Sequence, residues 1–529
     1  MAFEPNYEKV VSSFRVKLGS TQSIVECKLP LNDGNGLVKV LCANAKAYIS
    51  NSEIISKEVT YNGYVGFQVV YVDETGMNQG MDYTAEFKDS FGLENETQGV
   101  SIIECGVVDV KYNVVGGEVR ITAVIETHID AIVNTSLNVL VGFNDEKTFV
   151  KNEMLDYYTF MGTASERFEV GADFEINDSV QKILSLCPSV YIEKVSLNNK
   201  FLTINGGLLI DVSYVSDEDK SILRTYKFQI NFTQEVANEN INDDSVVQSV
   251  INVMLNDIKV TTSLDANSAM VNAVIPLQYS GFVMNKNSID VVTDIFNLNN
   301  ELNVNYESVE LFNSLNSDFY EEKISGETTI DEVLPFIDEV SGVCSNNVIV
   351  ANTRVVENGV LVEGIASTSV LYYNRELNTT TSVEVEIPFS KELDYKNIPA
   401  DYVPVVSVAF GDVDAKGKRG KEIEINGRLY FFVQLYRNDN GAVISAVEIQ
   451  DEKIEDDCVL SIYIVKDGDT IWDVAKEMSV SPDMILEQNP DLELPLKAGD
   501  KVVIYIPKDI CFNWCKSFPI ALICYAVSL

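Results

Sequence analysis

The chain has 529 residues, 46% of them hydrophobic, which is enough for several cores and for three or four domains. Its 80 acidic against 39 basic residues give a formal charge of −41, so nonspecific attraction to nucleic acid or anionic lipid is disfavoured, and protein or neutral glycan is expected instead. Nine scattered cysteines without a C-x-x-C pair, and a single histidine, support neither a zinc site nor a disulfide framework nor a Ser-His or Cys-His mechanism.

The amino terminus, MAFEPNYEKVVSSFRVKLGS, lacks a basic stretch followed by an apolar one, so no secretory signal peptide is expected and the protein should stay in the cytoplasm. From residue 8 to about 457, short alternating runs rich in Val, Ile, Thr and Tyr, broken by Asn, Gly and Asp, predict a mainly β fold. One pattern occurs three times. KAYIS at Lys46 to Ser50 precedes VTYNGYVGFQVVYV at Val59 to Val72; SVYIE at Ser189 to Glu193 precedes LTINGGLLIDVSYV at Leu202 to Val215; NVIVA at Asn347 to Ala351 precedes VLVEGIASTSVLYY at Val360 to Tyr373. Gly63, Gly206 and Gly364 stand eight residues before Tyr71, Tyr214 and Tyr372, so the repeat recurs at 143 and 158 residues. The glycine permits a bulge or close backbone approach in mid-strand, and the tyrosine, an even step away, lies on the same face. Further strand-like runs follow each hairpin, so each repeat is expected to be a unit of two β-rich halves. Val180 to Leu186 and Ile330 to Ile337, just ahead of the second and third hairpins, carry short helical character. The expected division is 1–165, 166–318 and 319–457 for three β units, 458–508 for a small module, and 509–529 for a tail.

Catalytic chemistry is sparse. His128 sits in the strand-like run RITAVIETHIDAIV and reads as a packing or surface residue. GDVDAKGKRGKE at Gly411 to Glu422 resembles a calcium loop at Asp412, Asp414 and Gly417, but Lys416 and Ile423 stand where oxygen ligands are needed. No phosphate-binding glycine motif occurs, and carboxylates are too plentiful to single out a glycosidase pair. The expectation is a non-enzyme without metal or cofactor.

The small module is the most legible segment. Ser461 to Val465 reads as a strand, and Lys466-Asp467-Gly468-Asp469 as the turn that ends it. Ile471, Val474, Ala475 and Met478 then fall on one helical face behind a capping Asp469 or Thr470. Ser481-Pro482-Asp483 opens a second helix that Asn489-Pro490 ends, and Lys501 to Ile506 alternates as a closing strand. Trp472 lies one position off the buried stripe, where an aromatic serves either the core or a contact surface. In the tail, the twelve residues Phe518 to Leu529 contain Pro519 and are too few to span a bilayer, so no transmembrane segment is expected. Packing on the module, contact with a membrane surface, acylation and the absence of any role all remain open for it.

The β-α-α-β order with GDTIWDVA, QNP and LKAGDKVVIYIP resembles the LysM module, which binds N-acetylglucosamine polymers in peptidoglycan or chitin. That resemblance implies a ligand or partner groove between Gly468, Asp469, Thr470, Ile471 and Trp472 on one side and Asn489, Pro490 and Asp491 on the other. The three repeats, with the aliphatic NG strand and YVD at Tyr71 to Asp73, resemble SPOCS-type spore coat domains, and the whole arrangement resembles SipL-type spore coat morphogenetic proteins. One departure is LPLNDGNGLVKVL at Leu29 to Leu41, where that family has a proline-aspartate segment. The resemblance implies spore coat assembly at the forespore surface in the mother-cell cytoplasm, with the LysM docking a SpoIVA-like coat morphogenetic ATPase. The alternative it leaves open is a peptidoglycan-binding wall or spore-surface protein. Exposed β edges also leave room for self-association.

Overall fold

The computed structural model describes residues 4–29, 37–115, 118–217, 222–265, 267–395, 398–418, 420–452 and 460–505. Strand accounts for 79% of the described residues and helix for 4%, so the fold is mainly β.

The first six strands are β1 (Pro5–Leu29), β2 (Leu37–Ile55), β3 (Glu58–Asp73), β4 (Asn78–Gly92), β5 (Gly99–Val115) and β6 (Glu118–Phe143). They form two antiparallel sheets, a meander β2-β3-β4 and a sheet β1-β6-β5. The next set is β7 (Thr148–Ile176), β8 (Val180–Asn198), β9 (Phe201–Ser216), β10 (Leu223–Ala237), β11 (Ser245–Val253), β12 (Lys259–Leu264) and β13 (Ala269–Asn297). Here β8-β9-β10 is the meander, and β13 pairs with β7 on one edge and with β11 and β12 in series on the other. The third set is β14 (Asn300–Thr329), β15 (Glu339–Val356), β16 (Gly359–Asn374), β17 (Thr379–Asp394), β18 (Val403–Lys418) and β19 (Glu422–Glu452), with sheets β15-β16-β17 and β14-β19-β18. The last strands are β20 (Leu460–Ile464) and β21 (Lys501–Tyr505), separated by helices α1 (Ile471–Met478) and α2 (Pro482–Gln488).

In each set the apolar face of the meander packs on half of the long sheet. Val65 and Phe67 of β3 meet Ile121 and Ile125 of β6, and the second and third sets repeat this with Leu208, Ile210, Val271 and Ile275, and with Val362, Ala366, Ile425 and Leu429. The other halves of the long strands have no meander over them and bury their apolar residues against one another. Val10 and Leu137, Tyr157 and Val291, and Val309 and Val443, from the three sets, share one cluster. These ladders run from Pro5↔Phe143, Thr148↔Asn297 and Asn300↔Glu452, so the chain passes from set to set at one end of a three-way stalk.

The meanders close a ring at the other end. Lys182 donates to Gln79 across β8 and β4 (2.9 Å), Thr225 to the Ser341 carbonyl across β10 and β15 (3.4 Å), and Lys39 to Thr381 across β2 and β17 (3.1 Å). Each meander therefore touches the next and the third returns to the first, an internal threefold arrangement.

The three mid-strand glycines share one local geometry. A Cβ on Gly63, Gly206 or Gly364 would overlap the carbonyl of Tyr48, Tyr191 or Ile349 and come 2.8–2.9 Å from the ring of Phe87, Phe232 or Phe389. Those phenylalanines are the direct cross-strand partners of the glycines, and a register shift lies opposite each glycine on the first meander strand. Tyr71, Tyr214 and Tyr372 each enter the core of their own set.

Two expectations are corrected. Val180 to Leu186 is the start of β8: shifts between Val180 and Lys182 and between Ile183 and Ser185 break its alternation and imitate a helical spacing. Ile330 to Ile337 makes a single turn, in which Val333 and Leu334 donate to Asp331, and stops before Pro335. The cysteines also differ from expectation, because Cys42 and Cys344, 302 residues apart, form a disulfide between the first and third sets. Cys27 and Cys187 are free and buried. Asp412 occupies a bulge in β18 and pairs with Arg428 at 3.0 Å.

Candidate functional site: the terminal module

The module is held together by short-range hydrogen bonds that the local sequence supplies. Gly468 turns the chain with φ 87°, and Asp469 accepts from the Lys466 amide (2.7 Å) and the Tyr463 hydroxyl (2.9 Å). Thr470 caps α1 in a reciprocal box with Asp473, whose carboxylate accepts from the Thr470 amide at 2.8 Å. The Thr470 hydrogen bonds hold the Asp473 carboxyl below the usual range. Ser481 caps α2 through the Met484 amide (3.1 Å), with Pro482 in the first turn. Val474, Ala475, Ile485, Val502 and Ile504 form the core, which Ile471 and Trp472 flank half-buried.

Asn489 and Gln488 do something the sequence did not reveal. The Asn489 amide donates to the Val503 and Ile485 carbonyls and accepts from the Val503 amide, each at 2.8 Å. Gln488 does the same for Tyr505, at 2.7 and 2.8 Å. Two side-chain amides thus replace a neighbouring strand along the outer edge of β21 and close it to further pairing.

Trp472 is turned toward the β body. Its indole N–H donates to Asp294 (2.8 Å), whose other oxygen accepts from Lys476 (2.6 Å), and its ring meets Phe296 edge-on at 5.0 Å. Phe149 stacks on Phe296 at 5.4 Å. Asp294 follows a register shift between Val292 and Asp294 in β13, which lets it reach the module. Asp294, Phe296, Lys476 and Gln488 were not foreseen, and the separation of 178 residues between Trp472 and Asp294 leaves no local signal for this clamp.

Of the expected groove residues, Asp469, Ile471, Trp472 and Asn489 are half-buried with the structural partners just described, while Gly468, Thr470, Pro490 and Asp491 are exposed. The outer face of the β20-β21 sheet is apolar and exposed: Leu460, Ile462 and Ile464 are 59%, 59% and 61% accessible, beside Val503 and Tyr505 at 38% and 50%. Leu460↔Tyr505 and Ile462↔Val503 are direct cross-strand pairs, so these side chains form one ladder. Among the described residues no strand pairs with the other edge of β20. The expected tail 509–529 lies outside the described residues.

These features define a class: a threefold β scaffold carrying a small β-α-α-β binding module clamped to it. Residues 337–417 match the SipL, SPOCS domain family and residues 463–504 match the LysM domain family. The first match covers β15 to β17 and most of β18, and the second the module, so the chain has the SipL-type arrangement of a SPOCS domain followed by a LysM domain. No curated protein and no solved structure matches the chain. A SPOCS domain associates the chain with the spore coat, and a LysM domain with peptidoglycan or glycan binding; both are binding or structural domains without catalysis of their own. Among the described residues, no helix is long and apolar enough to cross a membrane, and no cluster of His, Cys, Asp and Glu is arranged to hold a metal ion.

Proposed function

We propose that the protein is a non-enzymatic assembly factor of the spore coat, acting on the mother-cell side of the forespore surface, whose LysM module docks a coat morphogenetic ATPase of the SpoIVA-like kind. The reading of the β region as three SPOCS-like units, of which the family match covers part of the third, is supported by the topology the three sets share. The observation that carries the docking reading is the ladder Leu460, Ile462, Ile464, Val503 and Tyr505. Sugars are recognised through polar groups and aromatic faces, whereas a contiguous strip that is aliphatic except for Tyr505, beside a strand edge unpaired among the described residues, suits an apolar protein strand. The clamp on Trp472 removes that ring from the ligands a free LysM would offer it to and fixes the module's orientation on the scaffold.

The test is retention of the purified partner ATPase by the full chain, compared with Ile462→Glu and Val503→Glu, alongside sedimentation with purified peptidoglycan. Loss of ATPase retention in both variants, with sedimentation unaltered, supports the reading. Undiminished retention sinks it. The second reading, a peptidoglycan-binding protein, draws on the exposure of Gly468, Thr470, Pro490 and Asp491, and predicts sedimentation that Thr470→Ala and Asp491→Ala weaken.

A further inference from the structure

The pairing register gives the three meanders a common frame, counted from the mid-strand glycine. Opposite Gly66, Leu209 and Ser367, each three residues past its glycine, stand Lys46, Ser189 and Asn347. All three line one chamber of about 200 Å³, as do the positions flanking each of them. Equivalent segments of β5, β11 and β18 complete the wall. The chamber therefore lies on the internal threefold axis, and its ring is where the threefold is broken: one ammonium, one hydroxyl and one amide.

Asn347 is held by the Val107 carbonyl, to which it donates at 2.9 Å. Lys46 is not held: no carboxylate pairs with it and no oxygen accepts from it among the described residues. Among the described residues it is the only charged side chain lining the chamber. It is half-buried, and the atoms around it strip enough water from the ammonium to lower its pKa from the ordinary lysine value. The Cys187 thiol, which acts on it electrostatically, is pushed up to about 12 by burial, as is the Cys105 thiol in the chamber wall, and neither supplies negative charge at neutral pH. An ammonium withdrawn from water without a counter-charge is disfavoured. In a chain with 80 carboxylates to 39 cations, the missing partner is conspicuous.

The chamber adjoins a larger cavity of about 730 Å³, with which it shares Cys105, Val190, Asn252 and Val408. Ser50, Ser52, Ser101, Gln278, Ser280 and Ser407 line that cavity with hydroxyls and an amide, and Glu53 and Glu104, outside the chamber ring, add two carboxylates, Glu104 facing Arg15 at 3.7 Å. We propose that the axial chamber binds an oxyanion, the carboxylate or phosphate of a small hydroxylated molecule, with Lys46 supplying the charge, Ser189 and Asn347 the flanking hydrogen bonds, and the outer cavity the contacts to the hydroxylated body. The sizes agree. The chamber holds the equivalent of about six or seven waters at roughly 30 Å³ each, enough for an anionic head group. The outer cavity falls within the roughly 300–1,000 Å³ of ordinary small-ligand sites.

The experiment uses the full chain and three probes at constant ionic strength: glucuronate, glucose 6-phosphate and, as the neutral control, glucose. Lysines are acetylated with a small activated ester and followed by peptide mass spectrometry. Lys46 should be acetylated, and one or both anions should slow its labelling by about tenfold at saturation while exposed Lys111 keeps its rate; glucose should protect neither. Which anion protects tells carboxylate from phosphate. Lys46→Gln should weaken anion-induced thermal stabilisation by about tenfold in affinity, as expected for loss of a charge-assisted hydrogen bond. Failure of both anions to protect Lys46 overturns the proposal, as does a Lys46 that never labels, since a ligand could not enter either. If Lys46→Gln does not fold, the labelling of the unaltered chain decides alone. Partner docking by the LysM is untouched by either result.

Discussion

Asn489→Ala separates a residue that touches ligand from one that holds the module together. The substitution removes two hydrogen bonds to the Val503 backbone and one to the Ile485 carbonyl, all at 2.8 Å. Water can replace the exposed pair in part, so each bond is worth about 0.5–1 kcal/mol net and the total about 2 kcal/mol. In a module this small, that lowers the melting temperature by roughly 10 °C. Trp472 reports the event, because its ring sits between Phe296 and solvent; a Trp514→Phe background removes the second tryptophan. Thermal melting followed by this fluorescence should show the loss in Asn489→Ala, a similar loss in Gln488→Ala, and none in Asp491→Ala. Unchanged melting of Asn489→Ala would refute the reasoning. If that stable variant also failed to bind peptidoglycan, Asn489 would belong to the ligand groove and not to the strand edge.

Asp294→Ala should release the module without unfolding it, losing the indole hydrogen bond and the Lys476 ion pair; a red-shifted Trp472 emission and a separate low-temperature melting step would show it, and an unshifted spectrum would deny the clamp. Gly206→Ala should destabilise the second β unit by about 2–3 kcal/mol in urea, because its Cβ overlaps the Tyr191 carbonyl and lies 2.8 Å from Phe232, whereas Gly171→Ala, with nothing within 4 Å, should be neutral or slightly stabilising. Burial raises the Asp211 carboxyl to about 7, with Asp412 adding to the shift and Lys227 and the Asn346 amide opposing it. The folded state therefore holds a proton that the unfolded state releases above its ordinary value of 3.8, so stability falls as pH rises from about 4 to 7 and levels off above. Asp211→Asn keeps an acceptor for Asn346 and should stabilise the chain at pH 8 by a few kcal/mol while changing little at pH 4; equal effects at both pH values would contradict this.

What the sequence disclosed and what it hid divide by distance along the chain. The LysM module was legible because caps, turns and helix stripe are set by residues a few positions apart, as with Thr470 and Asp473 or Ser481 and Met484. The mid-strand glycines were legible because their close approach recurs three times. The first strand of each meander was harder, since its register shifts scramble the alternation, and β8 looked helical for that reason. Residues joined only by the assembled fold left no trace: Asp294 under Trp472, the Cys42 to Cys344 disulfide, and Lys46 facing Ser189 and Asn347. Nor did composition separate the groove residues by role, because Asp469 and Asn489 suit a turn, a strand edge and a sugar contact equally well.

The position of the module sharpens the assembly reading. The three long ladders bring Phe143, Asn297 and Glu452 to one end of the stalk, and the module, following Glu452, packs at that end beside Phe296 and Leu298. Three similar sets could offer three docking places, but among the described residues the module packs on Phe149, Asp294, Phe296 and Leu298, all near the ends of β7 and β13. One apolar ladder is therefore presented per chain, in one orientation, at the end opposite the ring of meanders. A rigidly held single site favours one partner per chain and lowers the ordering cost of each docking event. If that geometry guides assembly, Asp294→Ala should weaken partner retention even though the Ile462 ladder is intact; full retention by the released module would mean that the clamp positions nothing and the ladder alone suffices.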